Sequence, residues 1–135
     1  MNRKAQAGVE YMALFAVVSL ALLVVSYFFY TGFQIQSRTT QARIAVDRIA
    51  NAVDSVAAQG QGSSKVVNVY FPPGILNATV MSREVRILIA SSNGQANDVF
   101  QVTLANVSFV QLPLTEGNKY LTVTFNATGN VSIMG

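Results

Sequence analysis

Residues 11–33 read YMALFAVVSLALLVVSYFFYTGF, and no charged side chain occurs from Tyr11 to Ser37. This run limits what the chain can become more than any other feature in it. A helix of that length, at about 1.5 Å per residue, covers the roughly 30 Å hydrocarbon core of a bilayer. A secretory signal normally has an apolar region of only about 7–15 residues. No helix breaker interrupts the run before Gly32. The sequence therefore predicts a membrane-spanning helix over 11–33.

The helical pattern does not stop there. No Pro or Gly occurs from 34 to 59. Ile35, Ala42, Val46, Ile49, Val53 and Val56 recur at the spacing of a one-sided apolar stripe. Arg38, Arg43, Asp47, Arg48 and Asp54 fall mainly on other faces, and Arg43 and Asp47 stand at i, i+4, where opposite charges can pair. The reading is a single helix over 6–58. Ile44, Ala45 and Ala52 widen its apolar surface, and a helix apolar on more than one side calls for more than one partner.

Composition then acts by exclusion. The 135 residues are 51 % apolar and 11 % charged, against about 25 % charged in an ordinary soluble domain. There is no Cys and no His. Disulfide scaffolds, thiolate zinc sites, cysteine nucleophiles and His-based acid–base catalysis are excluded together. Nine basic residues are scattered along the chain, too thin a positive surface for nucleic acid. No metal ligand set and no cofactor motif is present.

The segment before the apolar run is unusual. Met1-Asn2-Arg3-Lys4-Ala5 is basic and ends in a small residue, and Gln6-Ala7-Gly8-Val9-Glu10-Tyr11 follows. A carboxylate at the mouth of a membrane helix is costly to desolvate unless paired or protonated. The positive end of the helix dipole offsets part of that cost at Glu10.

A basic leader ending in a small residue, then Q-x-x-x-E-Y, then a long apolar helix, resembles the precursor of an archaeal type IV pilin with a class III signal peptide. The matching motif covers 3–33. The resemblance implies a membrane prepilin peptidase that cuts between Ala5 and Gln6, removes the leader 1–5 and leaves the helix in the mature chain. It also implies that Glu10, then the fifth residue, and Tyr11 serve assembly. Gly8 stands where the archaeal pattern commonly has Ser, and no Pro precedes Pro72, whereas many bacterial pilins carry a helix-kinking Pro. Bacterial Tad-type pilins share the E-Y start but are usually much shorter. Basic residues flank the run on both sides, so charge alone does not orient it. A prepilin reading puts Arg3 and Lys4 in the cytoplasm and the rest outside.

Gln59-Gly60-Gln61-Gly62-Ser63-Ser64 ends the helix and forms a linker over 59–64. The periodicity then changes to two. Val67, Val69 and Phe71 fall on one face, as do Val85, Ile87 and Ile89, and Leu121, Val123 and Phe125. The same alternation groups Phe100, Val102 and Leu104 as an inward set, with shorter runs at Val107 and Phe109 and at Val131 and Ile133. Turn residues at 72–74, 92–94, 116–118 and 128–130 separate them. The expectation is α+β: one long N-terminal hydrophobic helix, then five to seven short antiparallel strands over 65–135 as a small sheet or sandwich. Such a module is marginal alone, and packing on the helix stripe would help it.

No enzyme site is expected. Past residue 58 the carboxylates are Glu84, Asp98 and Glu116, with no spacing that forces two together and no His to partner them. Asn93, Asn97 and Asp98 lack the spacing of a calcium loop. Four triplets do stand out: Asn77-Ala78-Thr79, Asn106-Val107-Ser108, Asn126-Ala127-Thr128 and Asn130-Val131-Ser132 all fit N-x-[ST] and are candidates for N-linked glycans. The expected role is a structural subunit of an extracellular type IV-like pilus. Its partners would be copies of itself in a helical filament, the prepilin peptidase, the membrane assembly machinery, and the cytoplasmic membrane before assembly. Adhesion at the cell surface is implied by the resemblance alone. The alternative is a membrane-anchored surface protein with the same leader whose β domain binds a ligand or solute.

Overall fold

The computed structural model describes residues 3–91 and 94–135, with side chains for 8–34, 36–91 and 94–135. The element order is α1 (Arg3–Gln59), β1 (Ser64–Phe71), β2 (Ile75–Ala90), β3 (Ala96–Gln111), β4 (Gly117–Phe125) and β5 (Val131–Met134). This is the α+β arrangement expected, a long apolar N-terminal helix followed by a five-stranded sheet. The helix begins at Arg3 rather than near Gln6, because nothing between those positions breaks it. Met1 and Asn2 of the leader lie outside the described residues, as do Ser92 and Asn93 of one turn.

The helix ends where the sequence supplies glycine. Gly60 and Gly62 have φ of 94° and 84°, a region that costs glycine little and other residues more. The Ser63 hydroxyl lies 2.7 Å from the Val56 carbonyl and 2.6 Å from that of Gly60, within donating distance of both. The linker is then fastened to β4. Gly62 N–H donates to the Phe125 carbonyl (2.9 Å), and Phe125 N–H donates to that of Ser63 (3.0 Å).

The strand order is β1-β4-β5-β3-β2. Every pairing is antiparallel except β3 with β5, which runs parallel at Val107 and Val131. The sheet is therefore mixed, not wholly antiparallel. The β4–β5 hairpin folds back between β4 and β3, and a strand inserted there must run with β3. Nor are all the strands short. β2 and β3 have 16 residues each. β3 joins two runs that the sequence pattern separates, and the first half of β2, ILNATVMS, has apolar residues at both odd and even positions and so shows no clean alternation.

One core unites helix and sheet. Ala42, Ala45, Val46, Ile49, Ala52, Val53 and Val56 of α1 are buried with Val69, Phe71, Val85, Ile87, Ile89, Leu121, Val123, Val131 and Ile133. The helix supplies the second layer that a small sheet needs. Side-chain bonds fasten it. Arg48 Nη1 donates to the Asn68 carbonyl (3.2 Å), Asn97 Nδ2 to Thr39 Oγ1 (3.4 Å), and Leu104 N–H to Asp54 Oδ1 (2.8 Å). Ala45 and Ala52, read as widening the helix for other partners, are absorbed into the chain's own core, and only Ile44 stays out, 48 % exposed. From Ala42 to Val56 the stripe is thus occupied within the chain, while the side chain of Ile35 lies outside the described residues.

β3 presents the opposite face from the one its largest side chains suggest. Phe100, Val102 and Leu104 are 56 %, 60 % and 77 % exposed, while Val99 and Thr103 are buried. Phe109 is likewise exposed although Val107 is buried. The pairing with β2 sets this facing: Val99 and Gln101 stand opposite Ile87 and Val85, so odd positions of β3 share the face that Val85, Ile87 and Ile89 turn into the core. The register then breaks. Glu84 pairs with Val102 but Ser82 pairs with Val107, so two steps along β2 answer five along β3. Ser82 takes φ of 56° at this break. Residues 103–106 leave the ladder as a bulge, and other groups satisfy their backbone. Leu104 N–H goes to Asp54, its carbonyl accepts from Arg83 Nη2 (2.6 Å), and Thr103 Oγ1 donates to the Ala105 carbonyl (2.9 Å). Charge-assisted bonds of the Asp54 and Arg83 kind are stronger than neutral ones.

Candidate functional site

The chain divides into two units, Met1–Gln34 and Ile35–Gly135. In the first, every large apolar side chain from Val9 to Phe33 is 49–77 % exposed. None of the most apolar window is buried within the chain. A core helix of a water-soluble domain would be covered by its own fold; this one is apolar on all sides and covered on none. Each such side chain stabilises by about 1.5–3 kcal/mol when removed from water, so the segment strongly favours an apolar surrounding that the chain itself does not provide. Polar side chains near its C-terminal end bond within the helix. The Thr31 hydroxyl lies 3.2 Å from the Tyr27 carbonyl and 3.0 Å from that of Phe28, and Gln34 Nε2 donates to the Tyr30 hydroxyl (3.0 Å). With its backbone bonds inside the helix as well, the segment is long and apolar enough to cross a membrane and is compatible with insertion.

Ala5 and Gln6, the expected cut site, lie in the first turns of α1; their side chains are outside the described set. Glu10 and Tyr11 follow on the same helix and both side chains are exposed. Residue 6 stands one helical turn before Glu10, the i, i+4 separation at which groups on a helix meet. Among the described residues the ion pairs are those of Arg86 with Glu84 and Asp98, so Glu10 has no cationic partner there.

The second unit brings together two carboxylates that sequence spacing left apart. Glu84 Oε1 accepts from Arg86 Nε at 2.7 Å, and Asp98 Oδ2 lies 3.6 Å from Arg86 Nη1. The remaining carboxylate past residue 58, Glu116, accepts from the Tyr70 hydroxyl (3.2 Å). Partial burial, and then the Glu116 carboxylate, hold the Tyr70 phenol above its ordinary pKa. Among the described residues no three metal-ligating side chains converge. Asn93 of the weighed calcium grouping lies outside them, Asn97 is bonded to Thr39, and Asp98 faces Arg86. A depression of about 190 Å³ is lined by Thr79, Met81, Glu84 and Arg86. It forms where the register break moves the outward face of β2 from odd to even positions.

The four N-x-[ST] triplets differ in setting. Asn77 and Asn106 are exposed on β2 and β3, but their following residues Ala78 and Val107 are 1 % and 3 % exposed. Asn130 precedes Val131, which is fully buried. Asn126 lies in the turn joining β4 to β5, followed by exposed Ala127 and Thr128. Three of these asparagines gather at one end of the second unit. Asn106 Nδ2 donates to Asn130 Oδ1 (3.3 Å), Asn126 N–H donates to the Asn130 carbonyl (2.9 Å), and Gln61 Nε2 donates to the Ala127 carbonyl (3.2 Å). Periodicity could not reveal this grouping, because it depends on how β5 inserts beside β3.

The chain matches no protein-family model, no curated protein and no solved structure. A functional reading therefore rests on the residues and their geometry.

Proposed function

We propose that the chain is a structural subunit of an extracellular filament of the type IV pilus kind. The observation that carries this reading is the segment 8–34, apolar on every side, uncovered by its own chain, and led by one carboxylate. A lone anchor needs only to be apolar. A subunit that leaves lipid for a bundle of identical helices needs apolar surface facing all its neighbours, with a polar device to fix their relative height. In this reading the precursor sits in the cytoplasmic membrane with its β domain outside. A prepilin peptidase cuts between Ala5 and Gln6, taking Arg3 and Lys4 with the leader. Assembly machinery then extracts the subunit. Glu10 pairs with the new amino group of Gln6, on its own or a neighbouring chain, in the dry filament core. Bundling relies mainly on the first helical half, since the stripe from Ala42 to Val56 is already packed on the sheet. The work is structural rather than catalytic, and adhesion at the cell surface suits it.

The depression beside Glu84 and Arg86 gives the second reading its footing: a membrane-anchored surface protein whose β domain binds a small ligand. At about 190 Å³ it is smaller than the roughly 300–1,000 Å³ of common ligand clefts, so the filament reading is preferred. Intact-mass measurement with N-terminal sequencing of the extracellular form tests the processing step. The expected mature chain starts at Gln6. A chain still carrying Met1–Ala5, or cut after the apolar run, would oppose the reading.

A further inference from the structure

We infer that, of the four N-x-[ST] triplets, Asn126 is the one that accepts an N-linked glycan on the folded chain. This rests on the part of the proposed function that puts the β domain outside the membrane. In the transfer, the Asn amide Nδ2 forms a bond to the anomeric carbon of a lipid-linked oligosaccharide. The anomeric carbon–phosphate oxygen bond breaks, the lipid phosphate leaves with the electron pair, and the amide releases a proton. The acceptor triplet must enter the transferase with its amide and its hydroxyl residue both free of the fold.

Three triplets fail that requirement in the folded state. Ala78, Val107 and Val131 are core residues between their Asn and hydroxyl neighbours. Ser132 Oγ is 3.4 Å from the Thr124 carbonyl, and the Asn106 and Asn130 amides are bonded to each other. Lifting any of the three out requires opening a strand that contributes to the core, an event from the stable end of local unfolding. The triplet at Asn126 is different. Asn126 is half-buried, but Ala127 and Thr128 are exposed, and Gly129 turns the chain at φ of 80°. The bonds of this turn are Asn126 N–H to the Asn130 carbonyl and Gly129 N–H to that of Asn126 (3.1 Å), and neither uses the Asn126 side chain. The turn also lies by Gln61, just past the end of α1. Along α1 that end is separated from Ile35 by about 36 Å of helix at 1.5 Å per residue.

The test incubates the full chain, folded in detergent micelles, with a purified single-subunit oligosaccharyltransferase and its lipid-linked oligosaccharide. A second sample is unfolded in urea and diluted into the same mixture. Trypsin separates Asn77, Asn106 and the Asn126–Asn130 pair into different peptides, and fragmentation that preserves the glycan resolves the pair. The folded chain is expected to be modified at Asn126 alone, and the unfolded chain at further sites. Thr128→Ala, which leaves Asn126 in place, is expected to lose the modification in the folded chain. Equal modification of Asn77, Asn106 or Asn130 in the folded chain would overturn the inference, as would an unmodified Asn126. The filament reading stands or falls separately, since mapping acceptors in micelles involves no assembly.

Discussion

Glu10→Ala is expected to abolish filaments while leaving the precursor inserted in the membrane and cleaved before Gln6. The substitution makes the helix more apolar, so insertion gains. The cut site lies a full turn earlier and keeps its residues. In the proposed pathway only the bundling step depends on the carboxylate. Once Gln6 becomes the first residue, it carries an ammonium at a helix N-terminus, where the helix dipole is unfavourable to positive charge. In a bundle without water that ammonium needs a counter-charge. Removing one partner of a buried ion pair costs about 3–5 kcal/mol, roughly two to four orders of magnitude in an assembly equilibrium at every subunit. The measurement is sheared surface protein per cell, alongside the membrane-retained pool and its N-terminus. Glu10→Gln, which keeps shape without charge, is expected to fail in the same way. Normal filament yield from either variant would remove Glu10 from the account.

Ile49→Asp is expected to prevent the second unit from folding. Ile49 is fully buried in the helix–sheet core. The change forfeits about 1.5–3 kcal/mol of apolar burial and places a carboxylate without a partner in the interior, at a cost of several kcal/mol more. Together these rival the 5–15 kcal/mol stability of an ordinary domain. Near-ultraviolet circular dichroism and protease resistance of the full chain in micelles give the readout. Ile44→Asp, five residues earlier on the half-exposed side, is expected to change stability by less than about 1 kcal/mol. Equal damage from both would mean that the helix does not pack on the sheet through the stripe described here.

Much of the architecture was legible because burial and periodicity agree over most of the chain. Along α1 the charge-free segment and the later stripe are set by side-chain type alone. In β1, β4, β5 and the second half of β2, one face is clearly more apolar, and Val69, Val85, Ile87, Ile89, Leu121, Val123, Val131 and Ile133 point inward as their alternation implies. β3 was misread because alternation chose its larger side chains. Phe100, Val102 and Leu104 outweigh Val99 and Thr103 by size, but the register that sets Val99 and Gln101 opposite Ile87 and Val85 decides the facing. Those pairs join residues 12 and 16 positions apart, beyond the reach of a local pattern. The parallel pairing of β5 with β3 escaped for the same reason. Of the candidate site, Glu10 was visible as a lone charge beside an apolar run. The meeting of Glu84 and Asp98 on Arg86, and the grouping of Asn106, Asn126 and Asn130, depend on tertiary structure and became visible only there.

The central claim is that this chain polymerises. Its most direct test is to shear surface material from cells that make the protein, image it by negative stain, and identify the subunit by mass and by gold-labelled antibody to the β domain. The account predicts filaments labelled along their length, built from a chain that starts at Gln6. A labelled chain that stays with the membrane as a monomer or small complex, with no labelled filament in the sheared fraction, would contradict it.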